Sequence, residues 1–171
     1  MKRVLSLAIL AAMFLGTVSV SAQEKPASPA DSTTGTIKSG AVIKIVYSSP
    51  RLKGRTIGKD VEPMKGQVWR SGANAATVFE VSKDVTVEGK KLPAGKYAFF
   101  TLDNGTDFTV IFSKVWKQGG AFDYKQADDA LRVNVKPAKS ANSVENLTYI
   151  IGKDGKVSLV WGTLDISVWV K

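Results

Sequence analysis

Cysteine and histidine are both absent from this chain. Without them there is no Ser–His or Cys–His nucleophile pair, no zinc site of the usual Cys/His type and no His or Cys haem ligand. Disulfides are excluded too, so stability must come from the core. The chemistry left to the chain uses Asp, Glu, Lys, Tyr, Ser or a hard cation held by oxygen. No EF-hand spacing is present, and no catalytic residue, metal site or cofactor is expected. Long 3.6-residue apolar periods are also missing, which excludes a helical bundle. Arginine is scarce: beyond Arg3 there are only Arg51, Arg55, Arg70 and Arg132.

The N-terminus reads as an export signal. Lys2 and Arg3 precede an apolar stretch over 4–18, and Val20-Ser21-Ala22 supplies the small residues of a cleavage site. The predicted signal peptide is 1–22, cut after Ala22, giving a periplasmic or extracellular protein. The apolar stretch is shorter than the roughly 20 residues of a spanning helix, so no transmembrane segment is expected in the mature chain. Residues 23–40, QEKPASPADSTTGTIKSG, have almost nothing to bury and read as a flexible leader. Residues 41–171 then form a single domain. At about 130 residues it can bury roughly two-thirds of its unfolded surface.

That domain has the patterning of strands. Ile43, Ile45 and Tyr47 alternate with polar neighbours, and 78–81 and 85–87 are short apolar runs. The run 96–102 is apolar on both faces, as in a central strand. Asn104-Gly105 predicts a hairpin with positive φ at both turn positions, and Asp154-Gly155 a second of the same kind. Residues 108–112, with Phe108, Val110 and Phe112 on one face, are the partner strand of the first hairpin, and residues 131–135, 147–151, 157–161 and 164–170 complete the set. The expected fold is all-β: an antiparallel β-sandwich, or small barrel, of short strands. Residues 50–67, rich in Gly, Pro and basic side chains, form a long loop of the kind that carries function.

The formal net charge is +9, and loss of Lys2 and Arg3 lowers it to about +7. The lysines are scattered and no aromatic–basic ladder appears, so nucleic acid is not an expected partner. The arginines do cluster: Arg51, Arg55 and Arg70 lie close to Trp69 and Asn74. A guanidinium fork suits carboxylate, phosphate or sulfate, and an indole can stack on a sugar. These five residues are the candidate ligand site, for a small anionic or glycan-like molecule. Arg51, Arg55 and Arg70 are expected on one side of the domain, at least two of them in a concavity shared with Asn74. The competing reading makes Trp69 core and pairs the arginines with acids or loop carbonyls. Asp103, Asp107, Asp123, Asp128 and Asp129 offer an alternative, a carboxylate hydrolase, which needs two carboxyls about 5–10 Å apart. A third possibility is a purely structural envelope protein whose basic surface meets an anionic partner. Trp161 is expected in the core, and Trp169, opposite Val168 and Val170, partly exposed.

Three elements in order, Ser49-Pro50-Arg51, Val68-Trp69-Arg70-Ser71-Gly72-Ala73-Asn74 and Leu92-Pro93-Ala94-Gly95-Lys96-Tyr97, give the chain a resemblance to the family known as domain of unknown function 2911 (DUF2911). Lys53-Gly54-Arg55, Leu131-Arg132-Val133 and the Trp161 strand fit as well, so the resemblance spans about 43–170. It implies an exported bacterial protein and brings no activity, cofactor or site residue. An acidic residue would be expected next to Asn74 in this motif; the chain has Ala75, so no carboxylate acts there.

Overall fold

The computed structural model describes residues 27–171. The expected signal peptide, 1–22, lies outside the described residues. Eleven strands follow: β1 (Ala30–Thr36), β2 (Val42–Ser48), β3 (Val68–Trp69), β4 (Thr77–Val81), β5 (Val85–Val87), β6 (Lys90–Leu92), β7 (Gly95–Asp103), β8 (Phe108–Ser113), β9 (Asp129–Val135), β10 (Ala138–Ile151) and β11 (Lys156–Trp169). Among the described residues no helix is long and apolar enough to cross a membrane.

The main sheet is antiparallel in the order β1-β2-β4-β7-β8-β9, with β3 also on β7. It does not close into a barrel. The β10–β11 hairpin and the small β5–β6 hairpin form the facing layer. Between the layers lies the core. Ile43, Ile45 and Tyr47 of β2, Phe79 of β4, Phe99 of β7 and Phe112 of β8 meet Leu147, Tyr149, Leu159 and Trp161 from the hairpin. The aromatics interlock edge to face: Phe79–Phe112 at 5.1 Å, Phe99–Phe112 at 5.4 Å and Tyr47–Tyr149 at 4.8 Å between ring centres. Each such fully buried side chain stabilises the fold by ~1.5–3 kcal/mol. As expected, β7 is buried on both faces. Its Ala98 and Phe100 join Ala76 and Ile111 on the far side of the sheet, under Trp116, Ala121 and Tyr124 from the 114–128 excursion. That excursion holds two single 3₁₀ turns, Ala121–Asp123 and Gln126–Asp128.

Three expectations are corrected. Residues 30–36, assigned to the leader, form edge strand β1, paired to β2 from Ala30↔Ser48 to Thr36↔Val42. Its side chains are mostly exposed, so no apolar alternation marks it; the partner strand imposes its conformation. The runs 157–161 and 164–170 are not separate strands, because β11 is continuous through 156–169. Gly162, at φ +56°, lies where the pairing with β10 slips. The slip reverses the alternation, so that Val157, Leu159 and Trp161 point inward before it and Ile166, Val168 and Val170 after it. Finally, the hairpin at Asn104-Gly105 has a wider connection than a two-residue turn. Asp103↔Phe108 is the last pair, Asn104 N–H donates to Asp107 O at 3.0 Å, and only Gly105 takes positive φ, +94°. The Asn104 side chain braces this loop by donating to Asp107 and to Thr109. At the second hairpin, likewise, Gly155 and not Asp154 has positive φ.

Candidate functional site

The Trp69–Thr77 stretch is an excursion between two strands that share one edge of β7. Trp69 pairs with Thr101 and Thr77 with Phe99, so residues 70–76 leave and rejoin the sheet across the width of Phe100. Thr77 N–H closes the excursion on Arg70 O at 3.3 Å. Inside it, Ser71 is fully buried at φ +53°. Its hydroxyl bonds Thr101 Oγ1 at 3.1 Å, and its carbonyl accepts from Thr77 Oγ1 at 3.0 Å and from Tyr149 Oη at 2.7 Å. A Cβ on Gly72 would stand 2.9 Å from Thr77 Oγ1 and 3.2 Å from Ser48 O, so only glycine fits without displacement. The motif is therefore a buried polar knot that fastens β3, β4 and β7 to β10. Burial holds Tyr149 well above the usual tyrosine pKa.

Ser49-Pro50-Arg51 has a similar mechanical role. Ser49 Oγ donates to Leu147 O at 2.7 Å, Leu147 N–H to Pro50 O at 2.9 Å, and Leu52 N–H to Glu145 O at 3.0 Å. This lashes the start of the long loop to the edge of β10. The chain then turns through Lys53 (φ +48°) and Gly54 (φ +73°), closed by Arg55 N–H on Leu52 O at 3.0 Å. Both central angles are positive, as a type I′ turn requires.

The five candidate residues do not converge. Trp69 is 3 % exposed, points into the core and stacks on Trp161 at 6.0 Å. Its neighbour Arg70 therefore faces the other side of the sheet, where it bonds the carbonyls of Asn74 and Gly119 and lies over the Phe122 ring at 5.6 Å. Asn74, at φ +59°, donates to Ser28 O at 3.2 Å. Arg51 is exposed, on the bridge to Asn146. Only Arg55 and Trp69 share a concavity. None of Arg51, Arg55 and Arg70 has an acidic partner among the described residues.

That concavity is a cavity of about 270 Å³ between the long loop and the 70–76 excursion. Trp69, Trp161, Pro50 and Ala73 give it apolar walls, and Arg55 and Glu62 bring charge. Both indole N–H groups are used internally, on Gly72 O at 3.1 Å and Glu145 O at 3.2 Å, so the tryptophans offer carbon surface only. Arg55 spends Nε on Leu52 O (2.9 Å) and one Nη2 hydrogen on Arg51 O (2.6 Å). Both Nη1 hydrogens and the second on Nη2 remain for another acceptor. Glu62 accepts from Met64 N–H through Oε2. Arg55 and Glu62 line one cavity without forming an ion pair. Sequence reasoning missed Glu62, one of two acids, with Asp60, in a basic loop.

The family model for the proteins of unknown function designated DUF2911 matches residues 28–170. The chain belongs to the DUF2911 family. Comparison with curated proteins and with solved structures found no match. The match begins ahead of β1, consistent with that strand being part of the domain. In this family member the resemblance-bearing residues are mostly fold-holding: Ser49, Ser71, Gly72 and Thr77 are buried and bonded, and Tyr97 Oη closes on Pro93 O at 2.8 Å.

The acidic residues separate into two sets. Asp103 and Asp107 flank the β7–β8 connection, whereas Asp129 pairs with Ser113 at the opposite end of β8, with Asp123 and Asp128 just before it. The length of β8, roughly 17 Å at the rise of an antiparallel strand, separates the sets by more than glycoside chemistry allows. Asp129 is committed to Tyr124 Oη at 2.8 Å and Arg132 Nη1 at 2.9 Å. Burial, then the bond to Asp129, pushes the Tyr124 pKa up to about 12. Among the described residues no group of three or more acids could hold a metal ion.

Proposed function

We propose that this chain is an exported, non-enzymatic β-domain that binds one small anionic, sugar-like molecule in the cavity between the long loop and the 70–76 excursion. The observation that carries this reading is Arg55, a guanidinium with open N–H donors and no acidic partner among the described residues, at an apolar cavity walled by two stacked tryptophans. Arg55 takes a carboxylate or phosphate on its fork. Glu62 accepts from a hydroxyl, and the indoles line the carbon face. The volume falls near the lower end of ligand pockets, roughly 300–1,000 Å³, and suits one small ring rather than a chain. Export rests on Lys2, Arg3 and the apolar stretch that follows.

The test is a thermal-shift panel: galacturonate and glucuronate, the neutral sugars galactose and glucose, and inorganic phosphate. Binding to the native state stabilises by about 2.7 kcal/mol at one hundred times Kd, a shift of several degrees in Tm. The acidic sugars are expected to raise Tm well beyond the neutral ones. No shift with any of them at millimolar concentration contradicts the proposal.

A further inference from the structure

Trp169 is 43 % exposed, although its strand neighbours Val168 and Val170 are buried. Its backbone is fixed on both sides: its N–H donates to Glu88 Oε1 at 2.7 Å and its carbonyl accepts from Glu88 N–H at 3.0 Å. An open indole on a fixed backbone is a ready platform for a flat apolar surface. Asp165 and Ser167 share its face of β11, at the two-residue spacing of a strand. Ser167 Oγ donates to Asp165 and lies 2.7 Å from Ser158 Oγ, and Lys156 Nζ is 3.7 Å from Asp165. The platform thus continues into a row of bonded polar groups.

The hollow over this row measures about 360 Å³ and is bounded by Asn134 and Lys136 of the β9 end. A second hollow, about 400 Å³, runs past Lys90 and Arg132 and shares Glu88 and Asn134 with the first. The two hollows adjoin at these residues, and we read them together as one elongated groove. Within it Asp165 offsets Lys156, and Asp129, outside the lining, offsets Arg132, which leaves Lys90 and Lys136 against Glu88. The groove is net cationic.

We propose that this groove binds an acidic pyranose oligosaccharide, one ring lying on Trp169 and uronate carboxylates meeting Lys136 and Lys90. The elongated shape favours a chain, the indole favours a pyranose over a bare polyanion, and the lysines favour a charged sugar over a neutral one. This site is separate from the Arg55 cavity and depends on none of its residues.

The test is calorimetric titration of the full mature chain with oligogalacturonate, with a neutral cello-oligosaccharide and polyphosphate as comparators, at low and physiological salt. The expected order is oligogalacturonate tightest, the neutral chain weaker, and polyphosphate weak and lost with salt. Trp169→Ala should weaken oligogalacturonate by about tenfold or more, and Trp169→Phe should recover part of that loss. Lys136→Ala should weaken the acidic chain but not the neutral one. The proposal is overturned if wild type binds no oligosaccharide, if Trp169→Ala binds as tightly as wild type, if polyphosphate competes equally, or if Arg55→Ala abolishes binding. The last result would place the sugar in the other cavity.

Discussion

The Arg55 cavity and the Trp169 groove both use tryptophan, in opposite ways. In the cavity, Trp69 and Trp161 are core residues that show the ligand space only part of their carbon surface, and the motif around them is occupied with internal bonds. In the groove, Trp169 stands in solvent on a clamped strand end, beside side chains from three separate stretches of the chain. The difference separates two reasons for a residue to stand out in a sequence. The Trp69–Thr77 motif stands out because a buried polar knot tolerates few substitutes. Exposed binding groups carry no such constraint, and their arrangement emerges only when strands from distant parts of the chain meet.

The largest expected difference between the two regions is in stability. Trp69→Ala or Trp161→Ala should cost ~3–5 kcal/mol, the usual range for emptying a large core site, whereas Trp169→Ala should cost less than about 1 kcal/mol. Urea midpoints at constant m-value measure both. Equal losses would mean that Trp169 is a structural side chain and would undercut the groove.

Next in size is the polar knot. Tyr149→Phe removes the 2.7 Å bond to Ser71 O but leaves the bond from Thr77, so a loss of ~1–2 kcal/mol is expected. A change near zero would show that the knot does not hold the excursion.

Alkaline pH should act on the core side of the comparison. Burial, with help from the bond to Asp31, raises Tyr47 to about 12; Tyr124 is raised to about 12, and Tyr97 and Tyr149 are raised as well. An unfolded tyrosine ionises near pH 10. Above that value the unfolded chain loses protons the folded chain keeps, so stability falls as pH rises. The contribution is complete below about pH 10 and is lost as pH climbs toward 12. Tyrosinate absorbance should therefore rise together with loss of the folded signal; ionisation near pH 10 with the fold intact would contradict these environments.

Much of this architecture was legible as a sequence because alternation is a local signal. β2 and β9 show it, and β7, apolar on both faces, announced its central place. β1 did not, since an edge strand of Asp, Ser and Thr buries little. Nor did the continuity of β11, because Gly162 reverses the alternation midway. The site was harder to read. Arg51, Arg55 and Arg70 are near one another in the sequence, yet Trp69 ends a two-residue strand and points into the core, while Arg70, the next residue, turns to the other side of the sheet. A strand that short has no period to reveal its faces. Glu62 reaches the cavity only through the course of the long loop.

The smallest effect on stability belongs to the experiment that discriminates most. Arg55 and Arg70 both bond backbone carbonyls, but only Arg55 borders the cavity. Arg55→Ala and Arg70→Ala should be compared with wild type in one galacturonate thermal-shift titration, each expected to fold within about 1 kcal/mol of wild type. The account predicts that Arg55→Ala loses the ligand-induced rise in Tm and that Arg70→Ala keeps it in full. Loss of the rise in Arg70→Ala with retention in Arg55→Ala would contradict it.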